Sequence, residues 1–210
     1  LAGKSIGAPG ASFPRLIFPL LAERTGLDLA RVKWMNLRPG SLLEALISAK
    51  VKAVASYTTV LWQYQRAAKK AGLRVVSLPY ADYGLNLYSL SLVTTDFRIQ
   101  DKEPMVRRFV GATYRGLAWA AEHPREALAL FLKERPGLER ERVEAEWREA
   151  LRLMLPEGAP ARGFGRYERR RLAELKSVMV RWRHVKMELP LERLYTNDYL
   201  PALTVKPKRF

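Results

Sequence analysis

The sequence predicts an α/β fold, with a parallel sheet covered by helices over residues 1–80, followed by a connection and a helix-rich portion over residues 81–210. Two observations carry this reading. Through the first eighty residues, short segments rich in strand formers alternate strictly with helical periodicity, the signature of parallel strands covered by helices. Beyond Pro79, apart from one further strand-like stretch, apolar residues recur at helical spacing.

In the first part, strands are expected at Lys4 to Ala8, Arg31 to Leu37, Val51 to Tyr57 and Leu73 to Pro79. The first helical pattern, Pro14 to Thr25, should kink at Pro19, which cannot donate to the ladder, and should end at Gly26. Ser41-Leu42-Leu43-Glu44 has the spacing of a capping box and predicts a helix to about Ala49. Thr58-Thr59 stand where they would cap a third helix, Val60 to Ala71, which stops at Gly72.

Tyr80-Ala81-Asp82-Tyr83-Gly84-Leu85-Asn86 reads as a connection, and Leu87 to Thr95 as one more strand. Val106, Phe109, Val110, Thr113, Leu117 and Ala120 fall on one helical stripe, with Asp101 as cap, Pro104 in the first turn and an end near His123-Pro124. Further helices are expected over Pro124 to Lys133, over Glu139 to Leu155 with Val143, Trp147, Leu151 and Met154 inward, and over Tyr167 to Trp182 with Leu172, Leu175 and Trp182 inward. Pro156 to Gly165 is a Gly/Pro-rich break, and Val205 to Phe210 a basic tail expected to fray.

Composition narrows the chemistry. The absence of Cys removes disulfides, thiolate metal sites and cysteine nucleophiles. With 37 Lys and Arg against 21 Asp and Glu, the net charge of +16 attracts anions without naming one, and no helix-turn-helix, zinc-finger or RRM signature points to specific nucleic-acid binding. No run approaches the roughly 20 apolar residues of a membrane span, and the opening residues lack a signal peptide's order of regions. Beginning at Leu1, the chain reads as a processed or shortened product.

Gly7-Ala8-Pro9-Gly10-Ala11-Ser12 lies between a strand and a helix, where backbone N–H groups favour an anionic or acceptor group. It lacks the Gly-Lys-Ser/Thr ending of a P-loop and the G-x-G-x-x-G spacing of a dinucleotide site, so an anion site and a plain tight turn both remain open. Thr58 and Thr59 could donate to a ligand or only cap a helix, the simpler role. His123 and His184 have no metal-ligand spacing, and no nucleophile elbow or acid pair nominates a catalyst. Tyr57, Trp62, Tyr64, Tyr80, Tyr83 and Tyr88 gather near strand ends, where they could stack on a flat ligand, although core packing accounts equally for about half of them.

Several stretches, taken together and in order, resemble the NMT1/THI5-like solute-binding proteins of ABC importers, relatives of taurine, alkanesulfonate and nitrate binders. Leu1 to Gly10 resembles the family's "L-x-G-K-x-I-G-V-P", and Leu46 to Tyr57 its "L-x-x-G-x-V-D-A-V-x-x-Y", with Ala49 and Lys52 replacing the usual Gly and Asp. Tyr80 to Tyr88 is similar to the return crossing between lobes, Val106 to Phe109 to a "V-R-R-F" helix, Gly163-Phe164-Gly165-Arg166 to "G-L-G-R", and Tyr195 to Leu200 to "Y-T-N-E-F-L".

The resemblance implies a type 2 periplasmic-binding-protein-like fold that lacks the family's N-terminal ninety or so residues. Residues 1–80 would be the second lobe and 81–210 the hinge and the returning part of an incomplete first lobe, which a partner chain completes unless the chain is a piece of a longer one. It further implies capture of a small solute, pyrimidine-like, sulfonate or another anion, in an inter-lobe cleft, without a cofactor, for an ABC permease in the membrane; the place is periplasmic or otherwise extracytoplasmic. Gly10, Ala11, Ser12, Thr58 and Thr59 would touch the ligand, with Asp82, Tyr83 and Asn86 at hinge or cleft. The family also holds thiamine-pyrimidine synthases that use pyridoxal phosphate and iron with a Cys-rich motif, which the absence of Cys disfavours here.

Overall fold

The computed structural model describes residues 1–155, 164–181 and 189–208, a mixed α/β chain with a small parallel sheet and many helices. It divides into two compact units, the first built on Leu1–Ser89 and the second on Leu90–Val180.

The first unit is organised by three parallel strands in the order β2-β1-β3. β1 (Ser5–Ala8) lies between β2 (Lys33–Asn36), in register Ser5 with Lys33 and Ala8 with Asn36, and β3 (Ala53–Val54), in register Ile6 with Ala53. A central strand needs apolar residues on both faces. Ile6 and Ala8 on one face of β1 and Gly7 on the other are accordingly buried, as are Phe18, Leu21, Leu42, Ala45 and Val51 from the flanking segments.

The expected fourth strand, Leu73 to Pro79, forms no ladder. Its composition suits a strand, but no strand pairs with it among the described residues, and Leu73, Val76 and Leu78 are exposed.

The first helical pattern is two helices rather than one kinked helix, α1 (Phe13–Leu16) and α2 (Phe18–Thr25), divided at Ile17. Pro19 has no N–H to offer across the junction, so it stands in the first turn of a new helix, where none is needed. Gly26 ends α2 in the left-handed conformation, φ 66°.

α3 (Leu42–Ile47) lacks the expected capping box. Ser41 closes a 3-10 turn, Pro39–Ser41, and has helical φ/ψ of −97°, −5° in place of the extended geometry that aims a capping hydroxyl at the first turn. Shortly after α3, Ala49 is left-handed at φ 58°.

α4 (Leu61–Lys70) starts behind a 3-10 turn, Thr58–Val60, and takes Val60 as its N-cap, so neither Thr58 nor Thr59 caps it. Another 3-10 turn, Tyr80–Tyr83, packs on α2 and ends at left-handed Gly84.

The second unit is helical: α5 (Asp96–Asp101), α6 (Glu103–Glu122), α7 (Pro124–Glu134), α8 (Arg140–Met154) and α9 (Arg169–Arg181). Residues 87–95 form no strand; Leu90 and Val93 are 95% and 88% exposed. The stretch instead ends at Thr95, whose hydroxyl accepts from Arg98 N–H at 3.2 Å and caps α5. Asp101 is therefore the last residue of α5 and not the cap of α6, whose N-cap is Lys102, although Pro104 does sit in its first turn.

On α6 the buried residues are Val106, Gly111, Ala118 and Ala121, while Phe109 is exposed, contrary to the expected stripe. Ala118 and Ala121 meet Leu151 of α8 and Val205, with Trp147, Met154 and Phe164 packed around them. The tail is thus held rather than frayed over its described part: Val205 is buried, Lys206 N–H donates to Glu122 Oε1 at 3.0 Å, and Lys208 N–H donates to Ala121 C=O at 3.0 Å. On α9 the buried residue is Val178; Trp182, Arg209 and Phe210 lie outside the described residues.

Candidate functional site

Parallel strands end together, and the chain that leaves their C-terminal ends is where α/β sheets place ligands. Here the three exits are stitched by backbone hydrogen bonds. Leu37 N–H donates to Ala8 C=O at 3.1 Å, and Ala55 N–H to Gly7 C=O at 2.9 Å. The loop after β1 thus leaves the sheet with Asn36 and Leu37 on one side and Ala55 on the other.

Gly7 packs closely on both neighbours. A Cβ there would stand 2.8 Å from Leu37 Cδ1, the end of a flexible side chain that would have to shift, and 3.4 Å from Val51 Cγ2, in van der Waals contact.

The turn after it is tied by Ser12. Its hydroxyl donates to Pro9 C=O at 3.0 Å and its N–H to the same carbonyl at 3.1 Å. Pro9 has no N–H, and the N–H groups of Gly10 and Ala11 make no hydrogen bond among the described residues. The loop therefore presents adjacent neutral donors on an exposed tip, suited to an anionic oxygen or a ring carbonyl.

Asn36 is the residue that the sequence reading missed. A Cβ on Gly10 would lie 3.4 Å from its Oδ1 and 3.7 Å from its Nδ2, so the Asn36 amide stands against the loop beside those donors. Nothing in its immediate sequence marks it; only the register that sets Asn36 opposite Ala8 does.

Past β3, Thr58 and Thr59 are half-buried in their 3-10 turn, and Tyr57 beside them is exposed. Tyr64 is buried and bonded to Ser56; loss of water around its phenol pushes its pKa up, with the Ser56 bond opposing. Tyr80 donates to Pro14 C=O at 3.0 Å, which fixes the Tyr80–Tyr83 turn at the start of α1, and burial pushes the Tyr80 phenol up strongly.

Asp82, Tyr83 and Asn86 are exposed on and after that turn. Packing accounts for other aromatics near the sheet: Trp34 meets Phe18 edge-on at 5.0 Å with Arg15 4.9 Å above its ring, and Arg66 covers Trp62 at 4.9 Å.

No group of three His, Cys, Asp or Glu side chains among the described residues could hold a metal ion. His123 ends α6, stacked on Trp119 and 3.0 Å from Glu126; His184 lies outside the described residues. No described helix is long and apolar enough to cross a membrane.

Two further motif stretches are structural in the second unit, though Gly163 lies outside the described residues. Phe164 meets Tyr114 edge-on at 5.6 Å. The Asn197 amide accepts from Tyr167 N–H at 2.9 Å and donates to Tyr167 C=O at 3.0 Å, while Tyr195 meets the Tyr167 ring at 5.7 Å.

Compared with known proteins, residues 1–127 match the model of the family described as NMT1/THI5 like. The matched span contains the whole Gly7–Ser12 loop, Asn36, Thr58, Thr59 and the Tyr80–Tyr83 turn. No curated protein matches the chain significantly.

Proposed function

Because the chain belongs to the NMT1/THI5-like family, which includes ABC solute-binding proteins and thiamine-synthase-like members, we propose that it is a solute-binding component of an importer and not an enzyme. The observation that carries this is the pair of unengaged N–H donors of Gly10 and Ala11 with the Asn36 amide against them, at the strand ends. This arrangement suits holding an acceptor group. The ligand is a small anion or a flat ring with a carbonyl edge, met by Gly10, Ala11 and Ser12, with Thr58 and Thr59 at the adjoining strand exit.

The synthase reading asks for Cys-rich chemistry and iron. The sequence has no Cys, and no acidic or His cluster of metal-binding size stands among the described residues. In the importer reading the protein works outside the cytoplasm and hands its solute to a membrane permease; Asp82, Tyr83 and Asn86 serve the crossing out of the lobe.

The test is a thermal-shift screen of the purified chain against pyrimidines, flavins, sulfonates and nitrate. A ligand at about a hundred times its dissociation constant adds about 2.7 kcal/mol, a clear rise in Tm. Replacing Gly10 by Val, whose branches would press on Asn36, should abolish the shift while the unliganded Tm changes little. A folded sample that no class of solute stabilises, or a shift that G10V leaves intact, would count against this site.

A further inference from the structure

The opposite end of the same sheet carries a different chemistry. Lys4 precedes β1, Arg31 and Lys33 stand at the start of β2, and Lys50 and Lys52 precede β3. Backbone bonds hold these positions together: Lys33 N–H donates to Lys4 C=O at 3.2 Å, Gly3 N–H to Arg31 C=O at 2.7 Å, and Lys52 N–H to Ser5 C=O at 2.9 Å. Neighbouring strands lie about 4.8 Å apart, so five cations occupy one edge three strands wide.

All five are exposed, and none is in an ion pair among the described residues. In the same unit, Asp28 accepts from Ala30 N–H at 2.9 Å, and Glu23 pairs at 2.9 Å with Arg181, which belongs to this first unit. Five like charges so close repel one another, a cost to the folded chain that an anionic partner removes.

We propose that this strand-start edge is a docking face for an anionic phospholipid surface. Four of the five cations are lysines, point charges on flexible stems that suit a fluid array of headgroups; base-edge or bidentate phosphate readout favours arginine. The face lies at the far end of the strands from Gly10 and Asn36, so lipid contact leaves the candidate solute site uncovered. The inference does not depend on that site.

Sedimentation of the chain with vesicles tests it. Phosphatidylcholine vesicles containing phosphatidylglycerol should capture the protein, pure phosphatidylcholine should not, and capture should fall steeply with salt as the Debye length contracts from about 10 Å at 0.1 M to about 3 Å at 1 M. Each lysine near such a surface contributes a roughly fivefold factor, so the triple change Lys4→Gln, Lys33→Gln and Lys52→Gln should weaken binding about a hundredfold. The matched triple Arg125→Gln, Lys133→Gln and Arg135→Gln in the second unit should weaken it far less.

On the unaltered protein, vesicles should shield Lys4, Lys33 and Lys52 from acylation. Equal losses from the two triples, no shielding, equal capture by neutral vesicles, or displacement by duplex DNA whose binding the first triple abolishes would each overturn the proposal, the last in favour of nucleic acid.

Discussion

Asn197 holds the backbone of Tyr167 by both of its polar groups, taking the N–H at 2.9 Å and returning an N–H to the C=O at 3.0 Å, thirty positions apart in sequence. Asn197 lies in the Tyr195 to Leu200 stretch and Tyr167 directly follows Gly163-Phe164-Gly165-Arg166, and one side chain locks them together. Asn197→Leu strands both half-buried groups of Tyr167 and should cost about 1–3 kcal/mol, read as a fall in Tm. Asn197→Asp keeps the acceptor and loses the donor, so its loss should be smaller; equal losses would refute the two-bond account.

Tyr80 gives the first unit a pH dependence. Burial raises the folded-state pKa of its phenol above the ordinary 10.0, so the folded chain keeps a proton that the unfolded chain releases. The sign follows: this contribution is intact below about pH 10 and is lost progressively as pH climbs from there toward the folded value. Denaturant midpoints measured across the alkaline range should fall more steeply for the natural chain than for Tyr80→Phe. At neutral pH, Tyr80→Phe should cost about 1 kcal/mol through the bond to Pro14.

Ala49 occupies a left-handed conformation, φ 58°, at a position where the family pattern has Gly. A side chain there costs about 1–2 kcal/mol, and Gly recovers this less the larger entropy of its unfolded state. Ala49→Gly should stabilise the chain by up to about 1 kcal/mol in urea unfolding. A neutral or destabilising result would mean that the turn tolerates Ala without strain.

Gly165 is required twice over. Its φ is 78°, and a Cβ built on it would overlap the Cε1 edge of the Tyr114 ring. Gly165→Ala should cost about 2–4 kcal/mol, combining the left-handed penalty with overpacking. Adding Tyr114→Leu should recover the overpacking part only; complete recovery in the double-mutant cycle would show that the backbone term is absent.

Leu90 and Val93 are almost wholly exposed in a stretch with strand composition and no ladder. Such a segment invites edge pairing between molecules. Leu90→Lys with Val93→Lys should reduce concentration-dependent aggregation, measured by light scattering, with Tm changed by no more than about 2–4 °C. A large fall in Tm would show that these side chains contribute to the fold.

What could be read from the sequence follows from what each signal reports. Ile6 and Val51 marked β1 and the approach to β3 because buried parallel strands are apolar on both faces. The same reasoning failed at Leu73 to Pro79 and Leu87 to Thr95, since composition reports the preference for an extended chain while a strand exists only when another pairs with it. Ser41 was misread because a capping box presumes extended geometry, which the preceding Pro39–Ser41 turn denies.

In the candidate site, the Gly10 loop was legible from its glycines and its position after a strand. Asn36 was not, because its role arises from the register of two strands rather than from any local spacing.

The donors at Gly10 and Ala11 are backbone amides, and that has a chemical consequence. An amide N–H carries no proton that comes on or off where side chains titrate, and its dipole is the same in acid and in mild base. The loop itself therefore brings no ionisation of its own to capture; the acidity at which a solute leaves it would be set by the solute and by the groups that later join it.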